Sequence, residues 1–251
     1  MRSYIIPKRA PSSAWENVPE LAIDTANWEN IIYETDAEFH KKAVENIRAF
    51  AQFTWDERAL YVRLTAREPF IRAENTGLLT QPCEDSCLEF FFMPDAADPE
   101  NRYFNIEFNP NALCFLGFGK YAGALSLIRL QPFGNVLKPK VTFLQNGREL
   151  PSAKPPASGQ SSEEFDESAA FVPRSVIPEQ ADGWSVEYEI PGEFVSRFFP
   201  GFTWHEGLRI RANAYKCGDL TPSPHYLSWN PMDPEIVSFH RPDHFGEMIL
   251  R

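Results

Sequence analysis

Between Glu84 and Gly119 the chain runs EDSCLEFFFMPDAADPENRYFNIEFNPNALCFLGFG, and this double alternation constrains the fold more than any other stretch. Ser86, Leu88, Phe90 and Phe92 alternate with Cys87, Glu89, Phe91 and Met93. After a turn over Pro94–Asn101, Phe104, Ile106 and Phe108 alternate with Tyr103, Asn105, Glu107 and Asn109. Successive side chains of a strand point to opposite faces, so the pattern predicts two neighbouring strands. One face is aromatic core. The other gathers Glu89, Asn105, Glu107 and Asn109, because cross-strand neighbours lie about 5 Å apart. A face of carboxylates and amides must meet water, pair internally or bind something polar. The expectation is a wet patch beside exposed rings.

The rest of the chain supplies further short strands separated by turn signals: Tyr4–Pro7, Phe50–Trp55, Leu60–Arg67, Leu125–Leu130, Val136–Phe143, Trp184–Pro191, Leu208–Lys216, His225–Trp229 and Glu247–Leu250. Helix is predicted only over Asp36–Ile47, with Asp36 as N-cap and Phe39, Ala43 and Ile47 on one stripe, and over a turn or two at Glu193–Phe199. Gln145–Gln180 is rich in Ser, Pro, Glu and Ala and has no apolar period, which predicts an exposed excursion. No repeat of 20–50 residues appears. The fold class that follows is all-β, an antiparallel β-sandwich of jelly-roll or immunoglobulin-like type, with residues 1–251 as one domain.

Composition narrows the partners. With 24 Lys+Arg against 35 Asp+Glu the net charge is −11, which argues against duplex nucleic acid and anionic membranes and suits a neutral ligand such as a sugar. No apolar run reaches membrane-spanning length and the first residues lack a signal-like core, so a cytoplasmic location is expected. Cys83, Cys87, Cys114 and Cys217 show no CxxC spacing and read as buried free thiols without a metal. Asp95, Asp98, Glu100 and Asn101 form an acidic turn, either solvated or a hard-oxygen calcium site.

Three chemistries remain open for the polar face. Glu89 and Glu107 could act as the carboxyl pair of a glycoside hydrolase, which needs about 5–9.5 Å between the groups. They could instead pair with Arg63, Arg67, Arg209 or Arg211, or orient a ligand. No GxSxG or HExxH motif supplies another catalytic group. In the last section Trp229, Phe239, His240 and Phe245 are threaded among Pro231, Pro234 and Pro242. Rings beside carboxylate, amide and guanidinium suit a sugar, whose C–H faces stack while its hydroxyls bond at the rim. A haem- or metal-binding sandwich using His225, His240 or Met232 is the remaining alternative.

EDSCLEFFF, YFNIEFNPN, KCGD, HYLSWNP and FHRPDHFGEMIL, in this order and preceded by TWDERALYVRLTARE, resemble the family 9 carbohydrate-binding modules. The similarity covers about Tyr4 to Arg251 without the excursion. It implies a non-catalytic β-sandwich that binds chain ends of cellulose or xylan and soluble sugars, often carries structural calcium, and needs no other cofactor. It implies a clamp of two Trp around a sugar ring, with a glutamate, an arginine and amides bonding hydroxyls. Glu89 occupies the glutamate position, Asn105 or Glu107 falls near the arginine, and Arg211 or Asn213 near a glutamine. Cys83 stands at the first clamp Trp, and Phe239, with Trp229 nearby, at the second. The predicted ligand-binding set is therefore Glu89, Asn105, Glu107, Arg211, Asn213, Trp229, Phe239 and His240.

Overall fold

The alternating residues segregate into two faces as predicted, and the protein buries both. A computed structural model describes residues 1–9, 15–28, 42, 44–77, 79–121, 124–127, 136–151 and 171–251. Within these, one sheet runs in the order β1 (Ser3–Ile6), β15 (Gly246–Leu250), β13 (Arg209–Cys217), β6 (Cys87–Met93), β7 (Tyr103–Phe108), β8 (Cys114–Gly119) and β9 (Ser126–Leu127). Two short strands, β14 (Tyr226–Ser228) and β3 (Thr25–Ala26), extend it beside β13. The second sheet orders β11 (Arg148–Glu149), β10 (Lys140–Gln145), β12 (Gly183–Pro191), β5 (Ala59–Arg67), β4 (Arg48–Trp55) and β2 (Leu21–Ile23). The two-sheet sandwich agrees with the predicted fold class. Neighbouring strands are antiparallel except β1 and β15, which pair in parallel with Ser3 opposite Glu247 and Ile6 opposite Leu250.

Apolar residues of period 2 from both sheets meet between them. Phe90, Phe92, Phe104, Ile106, Ile210, Ala212 and Ala214 from the larger sheet pack with Phe53, Val62, Leu64, Trp184, Val186 and Ile190 from the smaller. The rings of Phe90 and Phe92 stack at 5.5 Å, and Phe53 lies 4.8 Å from Phe90. Each such fully buried side chain contributes about 1.5–3 kcal/mol. Trp204 joins this core with its indole N–H satisfied by the Ile190 carbonyl at 2.9 Å. Trp229 belongs here too, inside the sandwich and not at an exposed edge. Its ring needs Gly246, where an added Cβ would come within 2.5 Å of the indole. Gly246→Ala should therefore destabilise by about 1–3 kcal/mol in urea unfolding.

One polar group spans the two layers. Lys216 of β13 and Glu68, just beyond β5, form an ion pair at 3.0 Å with both side chains almost fully buried. His225 and Trp184 complete this cluster by hydrogen bonds.

The outer face of the larger sheet departs from expectation. Most of it is covered. Phe91, Met93, Tyr103 and Tyr215 on that face are buried under Trp28, Met232, Phe239 and Phe245, which forms a second apolar layer. The covering segment after β14 is held by Asn213 and Arg211, as described below.

The predicted helix Asp36–Ile47 falls largely outside the described residues, as does the middle of the excursion. Helical turns expected at Glu193–Phe199 appear as α1 (Gly192–Ser196). The described ends of the excursion are mostly exposed, as predicted, and are tied to the fold. Residues 145–149 continue the β10–β11 hairpin, and residues 171–175 pack back on the fold. The Val172 N–H donates to the Thr76 carbonyl and the Ser175 N–H to Asn111 Oδ1. Among the described residues no helix is long and apolar enough to cross a membrane.

Candidate functional site

β6 and β7 place Glu89 directly opposite Glu107. Tyr215 flanks Glu89 from β13, and Phe115 flanks Glu107 from β8. Asn105, one pair along, faces Phe91 on one side and Gly117 on the other, where the Phe115 ring and Leu125 lean over the glycine. Beyond the end of β13, Asp219 is anchored by its N–H to the Cys83 carbonyl at 2.9 Å.

Glu89 and Glu107 are only 3% and 6% exposed. The Cys217 thiol donates to Glu89 Oε1 at 2.9 Å, and the Asn105 amide donates to Glu107 Oε1 at 2.9 Å. Neither acid has an ion-pair partner among the described residues. The arginines expected to neutralise them are engaged elsewhere. Arg63 lies near Glu149 and Glu187 on the other sheet, and Arg209 bonds Glu247. Arg211 donates to the carbonyls of Asp243 and Phe245. Burial drives the Glu89 carboxyl well above the usual range, and the facing Glu107 adds to this. Burial likewise lifts Glu107 to about 7, opposed by the Asn105 hydrogen bond and assisted by the nearby charge of Asp219. Asp219 is itself raised by burial.

Hydrogen bonding at this face is incomplete on the acceptor side. Glu107 Oε2, Asn105 Oδ1 and Asp219 Oδ1 are buried without a hydrogen-bond partner. A buried acceptor left unpaired costs about 1–3 kcal/mol, so three on one face call for donors from outside the chain. The ring of Phe115 and the half-buried Tyr226, Cys83 and Leu125 border them.

The structure thus brings together Glu89, Asn105 and Glu107 but gives the other predicted residues different work. Asn213 holds the covering segment through both amide atoms, donating to the Asn230 carbonyl at 2.9 Å and accepting from the Asn230 N–H at 2.8 Å. Phe239 stacks on Tyr215 at 4.1 Å and meets Trp28 and Tyr226, so its faces are already occupied. His240 Nδ1 pairs with the Tyr103 hydroxyl at 2.8 Å, and burial lowers the ring to about 4. Arg211 acts as a strut for the cover, and Trp229 lies in the inter-sheet core. The haem alternative finds no convergent ligands: His225 is bonded to Lys216 and Ser223, His240 to Tyr103, and Met232 to Asn213. Asn109 turns away from the face to bond Asp85 and Asn75. Asp219, Phe115 and Tyr226 are the site residues that sequence reasoning missed, although KCGD and HYLSWNP contain two of them.

Calcium fits neither Asp98 of the predicted acidic turn nor the buried Asp85. Both oxygens of Asp98 receive Arg102, which also pairs loosely with Glu100. The fully buried Asp85 accepts the N–H groups of Glu74 and Asn75 and the amide of Asn109, with Arg72 at 3.3 Å. The Asn75 carbonyl is itself taken by the amides of Asn109 and Asn111. Donors thus occupy the oxygen lone pairs that a hard cation would need.

A family model described as carbohydrate-binding family 9 matches residues 13–126 and 173–250. Among solved structures, a Bacteroides uniformis protein provisionally described as carbohydrate-binding superposes with a TM-score of 0.69 at 21% identity, over 100% of this chain and 99% of that one. A family 9 carbohydrate-binding module from Caldicellulosiruptor kristjanssonii in complex with glucose gives a TM-score of 0.54 at 13% identity, covering 100% and 96%. The same organism's module in complex with cellotriose gives 0.56 at 13%, covering 100% and 94%. At these identities the structural likeness speaks for the fold. No curated protein sequence gives a significant match.

Proposed function

Since the chain belongs to carbohydrate-binding family 9, we propose that the outer face of its larger sheet binds a sugar without catalysing a reaction on it. One observation carries this reading: the three unpaired acceptors Glu107 Oε2, Asn105 Oδ1 and Asp219 Oδ1, gathered on one face beside aromatic rings. Sugar hydroxyls are the donors that such acceptors lack, and sugar C–H faces suit Phe115 and Tyr226. Gly117, opposite Asn105, lets the Phe115 ring lean in beside the amide. Support from relatives is the glucose and cellotriose bound by the two family 9 structures. Chain ends of cellulose or xylan are the polymeric ligands this reading favours.

Cys83 stands where the resemblance places a clamp Trp, so stacking area is smaller and the affinity is expected to be weak. Titration with glucose, xylose, cellotriose and xylotriose should quench or shift the emission of Trp28, whose ring lies 5.7 Å from that of Tyr226. Asp219→Ala and Phe115→Ala should each weaken binding by about tenfold, the equivalent of one lost hydrogen bond or stacking contact. If no sugar alters fluorescence or melting, or if both variants bind like the parent, this assignment fails.

A further inference from the structure

Cys87 and Cys217 are direct cross-strand partners, and Glu89 lies two residues along β6 on the same face. Their two sulfurs and a carboxylate oxygen all lie within 4.8 Å of one another, and all three residues are buried. We propose that Cys87, Cys217 and Glu89 form a binding site for a thiophilic divalent cation of the zinc type.

The geometry is close to that of a filled site. Tetrahedral zinc holds sulfur at about 2.3 Å and carboxylate oxygen at about 2.0–2.2 Å, which separates neighbouring ligand atoms by about 3.4–3.8 Å. Cys217 Sγ already sits 2.9 Å from Glu89 Oε1. Small side-chain rotations convert one arrangement into the other. Two thiolates and a carboxylate are a donor set for a soft or borderline metal and a poor one for calcium. The charge environment agrees. Cys87, Cys217, Glu89 and Glu107 face one another without a cationic partner among the described residues. Lys216, next to Cys217 in sequence, turns to the opposite face and pairs with Glu68. As each metal–sulfur bond forms, the thiol proton leaves to solvent, so the cation replaces two protons. Glu89 gives up its own proton if it holds one. The half-buried Cys83 borders the cluster, with its carbonyl 4.0 Å from Cys217 Sγ. The assignment does not depend on sugar binding.

The test uses the full reduced chain and no sugar. Thiol titration after denaturation should first count four free thiols, matching the four free cysteines. Titration with Co2+ should then give sulfur-to-metal charge-transfer absorption and tetrahedral visible bands that saturate at one equivalent and disappear on adding Zn2+. Cys87→Ser and Cys217→Ser should abolish the charge-transfer signal. Cys114→Ser, on a different strand away from the cluster, should keep it. Glu89→Gln should weaken binding at least about tenfold. In parallel, Zn2+ should protect Cys87 and Cys217 of the parent from alkylation, as read by peptide mass spectrometry. This readout needs no variant to fold. The proposal is overturned if folded parent protein gives no charge-transfer band, if the band survives either serine variant, if Zn2+ protects other cysteines instead, or if Cys87 and Cys217 are found as a disulfide.

Discussion

Lys216→Met should cost about 3–5 kcal/mol of stability, the largest loss expected from any single polar substitution in this fold. The ammonium has three protons and three acceptors: Glu68 Oε2 at 3.0 Å, His225 Nε2 at 2.8 Å and the Cys217 carbonyl at 2.8 Å. Glu68 uses its other oxygen to accept the Trp184 indole N–H at 2.8 Å. With side-chain exposures of 0% and 1%, neither charge reaches water. Removing the lysine strands a carboxylate between two sheets, and that uncompensated charge, more than the lost bonds, sets the magnitude. The double variant Lys216→Met/Glu68→Gln should recover most of the loss, because glutamine still accepts from Trp184 and carries no charge. Urea unfolding of the three variants forms the cycle. A cost below about 1 kcal/mol for Lys216→Met would mean that water reaches the pair. His225 belongs to the same cluster: burial and the adjacent Lys216 hold it well below its usual value. It is neutral, donating from Nδ1 to the Ser223 carbonyl and accepting from Lys216 at Nε2. An unfolded His225 takes up a proton as pH falls through 6.5 and the folded one does not. The stability it contributes is therefore complete above that pH and is lost on acidification.

The acid pair on the outer face should act with the opposite sign. Glu107 titrates at about 7 in the folded chain against 4.5 as its ordinary value. Between these values the folded state holds a proton that the unfolded state has released, so stability falls as pH rises. The difference corresponds to about 3 kcal/mol. Glu89 shifts in the same direction through burial and the facing carboxyl. Glu107→Gln keeps an acceptor for the Asn105 amide and removes the ionisation. Relative to the parent, the variant should be nearly equal in stability at pH 4.5. It should gain progressively up to about pH 7 and hold a plateau beyond it. His225 and His240 titrate in both proteins and cancel in this difference. Urea midpoints of the pair across pH 4.5–8.5 give the result directly. A flat difference would show that the Glu107 carboxyl meets water and is not buried.

Local patterning made the strands legible. In β12, Val186, Tyr188 and Ile190 alternate with Ser185, Glu187 and Glu189, and the observed Gly183–Pro191 extends the predicted strand by one residue. Alternation says which side chains share a face; what covers that face depends on contacts distant in sequence. The outer set of β6 and β7 contained Phe91, Met93 and Tyr103 as well as Glu89 and Glu107, and those apolar members are the sign that a second layer would cover it. Trp229 was misplaced for a similar reason. Its proline-rich surroundings suggested a rim, yet its N–H pairs with the Ala214 carbonyl and its ring enters the core over Gly246. Asp219 gave no periodic signal because it lies in a loop and meets the site through Cys83. Cys87 and Cys217 are opposite each other only because β6 neighbours β13, a pairing that no local spacing encodes.

The parallel pairing of β1 with β15 has a kinetic consequence. Ser3 finds Glu247 and Ile6 finds Leu250 across nearly the whole sequence, and β15 fills the place between β1 and β13. Until β15 is in place, the larger sheet has a gap and β1 has no neighbour to pair with. Contacts of such long sequence separation slow folding, and the β13 edge stays open until β15 docks on it. Completion of the larger sheet thus waits on β15, and the interval before it docks is when the fold is most exposed to aggregation.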